Sequence, residues 1–260
     1  MFRALHSAAT GMQAQQTNID VTANNLANVN TTGFKKSRAE FQDLIYQTLR
    51  APGGQTGTGA SAPSGLQIGL GVRTSATQAM HSQGALHQSG NSLDIAIEGN
   101  GFLQVQRPNG DMGYTRSGNL KSDADGRLVT SDGFPVEPSI TIPPDATSIT
   151  ISTTGMISVT QPGQANAVEV GQLQLANFAN PGGLLSTGRN LYTPTAASGQ
   201  AVIANPGDEG TGAISQGFLE SSNVEVVNEM IDLIASQRAY EVNQKVITAA
   251  DEMLRKTTDR

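Results

Sequence analysis

Apolar side chains recur every seven residues near the amino end of the chain, at Leu5, Met12, Ile19 and Leu26. Three residues after each of these lie Ala8, Gln15, Thr22 and Val29. The pattern is that of a helix with a heptad seam interrupted by polar residues. We expect the helix to stop at Gly33, since glycine readily adopts the left-handed conformation that follows a helix end.

The carboxyl-terminal segment repeats this design. Its apolar series is Val226, Leu233, Tyr240, Ile247 and Leu254, and the alternate seam positions are Met230, Gln237, Gln244 and Asp251. The residues from Ser222 to Glu225 have the spacing of a capping box, which predicts a helix start there. Either stripe alone is typical of an amphipathic helix on a globular core. Because both seams are narrow and contain amides, we infer instead that the two termini pair with each other and then with neighbouring molecules.

The central part of the chain changes to alternation with period two, which is typical of strands. The alternating positions are Leu66, Ile68, Leu70, Val72, then Leu93, Ile95, Ile97, then Ile140, Ile142, then Ile149, Ile151, and finally Ile157, Val159. Turn sequences such as Asn100-Gly101, Asn109-Gly110 and Asp125-Gly126 separate these runs. The fold class predicted is α+β, in which terminal helices pair as a coiled coil around a central, mostly antiparallel β domain.

The domain boundaries follow from these changes of pattern. We expect a helical coiled-coil domain from residues 1–34 and 222–260, and a β-rich outer domain with a return connection from residues 66–221. Residues 35–65 form a connecting segment and an extended glycine-rich arm. The arm, from Ala51 to Gly65, contains no charged residue. Its composition fits a flexible linker and an arm that orders only against another subunit about equally well.

Composition excludes several classes of chemistry. The 260 residues include no Cys and three His, which rules out disulfides, thiol nucleophiles and cysteine-type metal sites and leaves no basis for a three-histidine site. The net charge of −6 gives no reason to expect a nucleic-acid partner. No segment is apolar and long enough for membrane insertion or for a cleaved secretory signal. We therefore predict no cofactor and no metal.

Short motifs that resemble catalytic or metal sites fail on inspection. Gly99–Phe102 lacks the third glycine of a dinucleotide fingerprint, and Gly33–Ser37 lacks the first glycine of a phosphate loop. The calcium-like run Asp123–Gly126 has Phe134 at the twelfth position, where a carboxylate is needed, so a hairpin turn is favoured. The prediction is that the chain is not an enzyme.

Longer sequence runs carry a family resemblance. The run from Thr22 to Lys35, TANNLANVNTTGFK, resembles the signature of the flagellar rod, hook and hook-associated axial proteins. The carboxyl-terminal runs LESSNV, from Leu219, and QRAYE, from Gln237, are similar to the same family. The interior runs GNGF, YTRSG and DGRLV resemble its β domain. Within this family, the length of the chain and its glycine-rich arm are most like those of the distal rod subunits of the flagellar basal body.

The resemblance implies a subunit of a helical tube, with terminal helices as the inner wall and β domains outside. The apolar series of the two helices would then face each other at subunit contacts. The amides implied to fix their register are Asn24, Asn25, Asn28, Gln237 and Gln244. The arm would act as a rigidity lock through Pro52, Gly53, Gly54, Gly57, Gly59, Pro63 and Gly65.

The implied function is a rigid drive shaft, the distal rod, which transmits motor torque to the hook. The implied partners are further copies of the chain in a helical homopolymer, the proximal rod proteins, the hook protein, and the P-ring and L-ring proteins. The implied location is the periplasmic span of the rod in the basal body, after type III export without a cleaved signal peptide. The alternatives are a proximal rod or hook subunit, a different self-assembling fibre such as an adhesin or phage tail component, and a secreted β-domain carbohydrate binder or enzyme.

Overall fold

The structure is a computed structural model that describes residues 2–52, 64–163, 167–208 and 210–258. The chain divides into two compact units. The first, here the helical unit, contains residues 1–26, 37–78 and 225–260. The second, here the β unit, contains residues 27–36 and 79–224.

Two long helices carry the terminal heptad patterns, as predicted. Helix α1 spans Phe2–Ala27 and helix α2 spans Val226–Thr258. Helix α1 ends before the expected stop at Gly33, because the asparagine-rich residues after Ala27 are poor helix formers. Gly33 does have a positive φ of 69°, and its N–H donates to the Glu220 carbonyl at 2.8 Å. The glycine therefore serves a turn in the β unit rather than the helix end.

The start of α2 also differs from the predicted capping box. Because the helix begins at Val226, Ser222 lies too far upstream to cap it. The Ser222 hydroxyl instead accepts a hydrogen bond from the Val224 N–H at 3.3 Å. At the helix start, the side chain of Asn228 donates to the carboxylate of Glu225.

Four strands belong mainly to the helical unit: β1 (Ser37–Asp43), β2 (Tyr46–Arg50), β3 (Leu66–Gly69) and β4 (Val72–Ala79). Strand β1 pairs with β4, and β2 pairs antiparallel with β3. The β2–β3 pair is a separate two-stranded ribbon. The segment after α1 was predicted only as a connection, so β1 and β2 are elements that the pattern did not reveal.

The remaining strands form the β unit. In chain order they are β5 (Leu86–Gln88), β6 (Ile95–Glu98), β7 (Phe102–Gln106), β8 (Met112–Thr115), β9 (Lys121–Ser122), β10 (Leu128–Val129), β11 (Val136–Glu137), β12 (Ser148–Ile151), β13 (Met156–Thr160), β14 (Val168–Gln172), β15 (Leu175–Asn177), β16 (Leu185–Gly188), β17 (Leu191–Thr193), β18 (Val202–Ala204), β19 (Ala213–Gln216) and β20 (Phe218–Glu220). A short 3-10 helix spans Pro181–Gly183. Among the described residues, the strands of the β unit pair antiparallel, which confirms the prediction for the central region.

A seven-stranded sheet organises the β unit. Six of its strands lie in the order β16-β17-β8-β7-β15-β18, and β11 also pairs with β7. Smaller sheets are formed by β12-β13-β14, β6-β19, β5-β20 and β9-β10. Because side chains alternate across a strand, Leu103 lies in one buried cluster with Leu175, whereas the adjacent Phe102 lies in another with Tyr192. The sheet is therefore covered on both faces.

The predicted alternation agrees with most of these strands. Ile95 and Ile97 lie in β6, Ile149 and Ile151 in β12, and Ile157 and Val159 in β13. Two further predicted positions, Leu70 and Leu93, lie just outside β3 and β6. The predicted strand at Ile140 and Ile142 is absent from this described part of the chain, since these residues are 3% and 5% exposed but lie outside the named strands. These isoleucines belong to a connecting segment and pack into the core. The alternation there therefore indicates buried positions but not a paired strand.

Candidate assembly interface

Two side-chain hydrogen bonds and one close approach join α1 and α2 in antiparallel order. The Asn18 amide donates to the Ser236 hydroxyl at 2.7 Å, and the Asn25 amide donates to the Glu229 carboxylate at 3.1 Å. The third contact is one of close approach, since a Cβ added to Gly11 would lie 3.0 Å from Asn243 Nδ2. Along both helices these residues follow one another at seven-residue intervals. The contacts therefore have the period of a heptad seam.

The most buried helix positions are small or polar. They are Ala8, Ala14, Thr22 and Asn25 on α1, and Glu229, Ser236 and Ala250 on α2. Small residues allow two helix backbones to approach closely, and the buried polar groups require partners of matching chemistry. The contact between the helices of one chain thus depends on hydrogen bonding and close approach more than on large apolar side chains.

The apolar series predicted from the sequence lies beside these contacts. The half-buried members are Leu5, Met12, Ile19, Leu26, Leu233, Tyr240, Ile247 and Leu254. Val226, at the start of α2, is 40% exposed. Gln237 and Gln244 are exposed, as is Asn24, and Asn28 is half-buried in the β unit. Each member of the apolar series retains accessible surface, and the role of these residues at subunit contacts stays a prediction.

Asn25 is a predicted interface residue whose side chain makes several hydrogen bonds. Its Oδ1 accepts from the Ser37 N–H at 2.9 Å, and its Nδ2 donates to the Ser37 carbonyl at 2.9 Å as well as to Glu229. One amide therefore connects α1, β1 and α2 within the helical unit. The link to Ser37 has no signal in the heptad pattern, because Ser37 lies in a segment that was predicted only as a connection.

Helix α2 also exposes large apolar side chains, and all of them except Met230 lie outside the predicted seam. They are Val227, Met230, Ile231, Ile234, Val242, Val246 and Met253, with exposures from 42% to 70%. Their positions lie within one half of the helix circumference, roughly opposite the predicted apolar series, so α2 is apolar on more than one side. A helix that is apolar on several sides is typical of an element surrounded by partners.

The β2–β3 ribbon is a second exposed apolar surface. Its exposed apolar residues, with those just before β2, are Phe41, Ile45, Tyr46, Leu49, Leu66 and Ile68, with Ile45 as high as 80%. A lone two-stranded ribbon is only marginally stable in water. Sequence reasoning missed β2, although aromatic and β-branched residues from Ile45 to Thr48 were an available signal.

The ribbon holds the two ends of the predicted arm close together. A Cβ added to Gly65 would lie 2.8 Å from the Arg50 carbonyl oxygen and 2.8 Å from Pro52 Cδ, so glycine is needed at that position. Of the predicted arm residues, Pro52 and Gly65 are described. The others, Gly53, Gly54, Gly57, Gly59 and Pro63, lie outside the described residues.

A buried charge cluster lies within the β unit, between the segment that follows α1 and the strand that precedes α2. Lys35 Nζ is 2.5 Å from one oxygen of Glu220, and Arg116 Nε is 2.7 Å from the other. The Gly84 N–H also donates to Glu220 at 2.8 Å. The remaining guanidinium nitrogens of Arg116 donate to backbone carbonyls, including that of Gly101 at 2.6 Å. The residue types match the family signatures, but their pairing could not be read from the sequence.

Burial and these contacts shift the acid–base properties of the cluster. Burial alone would raise the pKa of Glu220, but the charge of Arg116 and hydrogen bonds from Arg116, Lys35 and Gly84 lower it below its usual value. Burial lowers the pKa of Lys35, and the bond to Glu220 only partly offsets this. Nearby, burial followed by the charges of Lys35 and Arg116 lowers the pKa of His81 to about 4. His81 is therefore a neutral aromatic group at neutral pH.

One cavity of the β unit has few ionisable groups in its lining. This cavity of about 390 Å³ is lined mainly by hydroxyl and amide side chains, with Asp132 and Arg189 as its two charged residues.

Among the described residues no group of three or more His, Asp or Glu has a metal-binding arrangement. The Asp123–Gly126 run forms the turn between β9 and β10, where Arg127 pairs with Asp123 at 3.3 Å and with Asp125 at 3.1 Å. In the described residues, neither helix has the length and apolarity to cross a membrane.

Comparison with known families agrees with this arrangement of helical ends and a β-rich centre. Residues 5–35 match the family described as "Flagella basal body rod protein", and residues 215–260 match "Flagellar basal body rod FlgEFG protein C-terminal". Residues 96–159 match "Flagellar hook protein FlgE/F/G D1 domain". The class of protein is thus that of the flagellar rod and hook.

Full-length relatives narrow the class. The chain is 52% identical to the flagellar basal-body rod protein FlgG of Agrobacterium fabrum over 96% of both chains, and 48% identical to that of Caulobacter vibrioides over 98% of both. The identity to the corresponding Bacillus subtilis protein is 42%, over 98% of this chain and 97% of the relative. The chain belongs to the FlgG family of flagellar basal-body rod proteins. It is a structural subunit and not an enzyme, which confirms both predictions.

Proposed function

We propose that copies of this chain assemble into a helical tube, in which α1 and α2 form coiled-coil contacts, and that this tube is the rigid distal rod. The rod acts as a drive shaft that transmits motor torque to the hook. The observation that carries the proposal is the pair of helices whose mutual contacts recur every seven residues while large apolar side chains on α2 stay exposed. Covering those side chains supplies a driving force for assembly.

The register of the helices is proposed to come from the polar contacts. Asn18, Asn25 and Gly11 each meet a partner of different chemistry on α2, so a shift along the seam breaks all three contacts. A buried amide in a coiled coil fixes register in this way. A drive shaft requires contacts that resist sliding of one helix along another. Apolar side chains alone would resist such sliding less than these polar contacts do.

The ribbon and the arm are proposed to lock neighbouring copies. The exposed apolar side chains of β2 and β3, such as Ile45 and Leu49, gain from contact with another copy. The predicted arm residues from Pro52 to Gly65 would then pack along the same neighbour, where packing and hydrogen bonds offset the cost in backbone entropy. This lock adds stiffness to a tube already held by the helices.

The remaining partners and the location follow from the family. We propose contacts with the proximal rod proteins at one end and the hook protein at the other, inside the P-ring and L-ring proteins. The rod would span the periplasm after type III export without removal of a signal peptide. A chain without cysteine is unaffected by an oxidising compartment.

The experiment is to find where the chain lies in purified basal bodies. A small epitope inserted at the exposed turn around Gly110 is detected by gold-labelled antibody in electron micrographs, with untagged basal bodies as the control. Labelling along the rod segment next to the hook supports the proposal. Labelling of the hook itself, or only of the segment next to the inner membrane, would assign the chain to the hook or the proximal rod. Labelling of none of these structures would refute an axial role.

A further inference from the structure

The two outermost strands of the main sheet, β16 and β18, both present apolar side chains to solvent. Leu185 in β16 is 58% exposed, and Val202 and Ile203 in β18 are 61% and 53% exposed. Within the described part of the chain, each strand pairs on one side only, β16 with β17 and β18 with β15. Neither strand contains a charged residue or a proline, the usual protections of an open edge.

The polarity of the two edges suits head-to-tail joining. All five pairings along the row of six strands are antiparallel, so β16 and β18 run in opposite directions. If two copies lie side by side in the same orientation, β16 of one copy meets β18 of the next as an antiparallel pair. That pair continues the antiparallel strand order of the sheet from one copy into the next. Repeating the same head-to-tail contact from copy to copy generates an open helical assembly.

The side chains at the two edges lie on the same face of the sheet. The registers place Leu191, Thr115, Leu103, Leu175 and Ala204 directly opposite one another across five strands. Leu185 pairs with Thr193, two residues beyond Leu191, and Val202 lies two residues before Ala204. Since residues two apart on a strand share a face, Leu185 and Val202 both project to this face.

A cavity lies beside β18. It measures about 250 Å³ and is lined by Asn177, Phe178, Ala179, Val202, Ala204 and Thr211. Most of this lining is apolar, which suits an aliphatic side chain. Leu185 of an adjoining copy is such a side chain, and it projects from the strand that would be added there.

We propose that β16 of one copy adds to β18 of the next, with Leu185 inserted beside Val202 and Ala204. The occupant of the edge is a second copy of this chain, and the inference rests on the proposed self-assembly. The sheet-edge contact would connect the β units of neighbouring copies independently of their helices. Main-chain hydrogen bonds would supply direction, and the inserted leucine would supply specificity.

The absence of cysteine from the chain allows a direct test by cross-linking. The full-length double variant Leu185→Cys with Val202→Cys is assembled, collected by sedimentation, and treated with a short thiol-specific cross-linker. Because opposite residues in an antiparallel pair have Cβ atoms about 5 Å apart, a head-to-tail contact gives a ladder of covalent multimers on a denaturing gel. Each single-cysteine variant should stay monomeric on the gel.

The matched control places the second cysteine on another edge. Val168 in β14 is 44% exposed at the margin of the three-stranded sheet, so the double variant Leu185→Cys with Val168→Cys should give no ladder. Sedimented polymer without a ladder, or an equal ladder from the control, would overturn the edge contact and leave the proposed function intact. Dimers from either single variant would show symmetric pairing of like edges instead. Failure of the cysteine-free parent to sediment would count against self-assembly itself.

A second measurement does not depend on thiol geometry. The charged variants Leu185→Lys and Ile203→Lys are each expected to raise the critical concentration for assembly about tenfold, since an exposed edge tolerates the charge but a paired edge does not. Val168→Lys is the control and should leave the critical concentration unchanged. Equal effects of all three substitutions would contradict a contact confined to β16 and β18.

Discussion

Asn25 and Glu229 connect the two terminal helices through a hydrogen bond of 3.1 Å from Asn25 Nδ2 to Glu229 Oε2. Both residues are buried, at 2% and 5% exposure. The same Asn25 amide also bonds the backbone of Ser37. A single polar side chain thus determines how three elements of the helical unit meet, which makes it a sensitive position for mutation.

We expect Asn25→Asp to destabilise the helical unit by about 2–4 kcal/mol, because it replaces the amide donor by a carboxylate beside that of Glu229. The change is nearly isosteric, so packing is preserved. Adding Glu229→Gln to this variant restores a donor and should recover more than half of the loss. Unfolding of the helices by urea, followed by circular dichroism, measures both changes. Additive effects of the two substitutions would show that the residues do not interact, and Gln16→Glu at an exposed site on α1 controls for charge.

The sequence located both helices and named Asn25 among their contact residues, but it did not reveal the other residues through which the helices touch. The heptad spacing of Leu26 and its equivalents located α1, because apolar periodicity is a property of the helix itself. The actual contacts of Gly11 and Asn18 were not predicted, since a glycine and an asparagine have little signal in a hydrophobic pattern. Their importance comes from the residue opposite each one, and that pairing depends on the register of two segments far apart in the chain.

In the β region, too, features set by adjacent residues were predicted, whereas contacts between distant parts of the chain were not. Alternation located β6, β12 and β13, and the Asn-Gly and Asp-Gly pairs located turns, because both signals arise from adjacent residues. Gly110 and Gly126, for example, have positive φ values of 83° and 78°. The partners of Glu220 and the open edges at β16 and β18 depend on strand order. Strand order is not encoded in alternation, so these features required the structure.

A carboxylate on the predicted apolar series should prevent assembly. Ile247→Asp places a charge at a half-buried position that subunit packing would cover completely, whereas in the free chain the side chain can stay solvated. We expect the critical concentration to rise at least about tenfold, with the thermal midpoint of the β unit unchanged. Sedimentation and calorimetry measure the two quantities. Thr248→Asp adds the same charge at the neighbouring exposed residue, and normal polymer from Ile247→Asp would remove that residue from the interface.

The helical unit of the free chain should be less stable than the β unit. Its helices meet through small and polar residues, and α2 leaves large apolar side chains such as Ile231 exposed, so little apolar surface supports them. Hydrogen exchange on dilute monomer should therefore be much faster for amides of α1 and α2 than for those of core strands such as β7 and β13. Assembly should slow exchange in the helices selectively. Equal protection of helices and core strands in the monomer would be incompatible with partner-dependent helices.

The β unit should lose stability below pH 6.5 through His81. Its pKa is lowered from 6.5 to about 4 in the folded chain, so between these values the unfolded chain binds a proton that the folded chain does not. Stability therefore falls as the pH decreases through this window, by on the order of 3 kcal/mol, and no further contribution from His81 follows below it. Glu220, whose pKa is lowered from 4.5, begins to lose its contribution as the pH falls below 4.5 and continues to lose it down to its folded pKa.

The corresponding variant is His81→Phe, which keeps the edge-on contacts of the ring with Phe102 and Tyr192, both at 5.4 Å between centroids, and removes the titration. Urea unfolding of the β unit between pH 4 and 7 should then have a weaker pH dependence than in the parent chain. His87→Phe, at an exposed histidine, is the matched control and should leave the dependence unchanged. An identical pH profile for the parent and His81→Phe would exclude His81 as its source.

Deletion of the arm should soften the polymer without unfolding the chain. Removing residues 53–64 leaves Ala51, Pro52 and Gly65 between Arg50 and Leu66, which are paired across the ribbon, and three residues are enough for a hairpin loop. The ribbon can therefore still close, and melting of the β unit should be unchanged. Polymer should form through the helices, but with greater curvature or flexibility, because the proposed lock between neighbours is gone. Electron microscopy of basal bodies measures this, and a glycine-serine replacement of equal length separates loss of specific contacts from loss of length. Straight and equally stiff rods from the deletion variant would show that residues 53–64 act only as a linker.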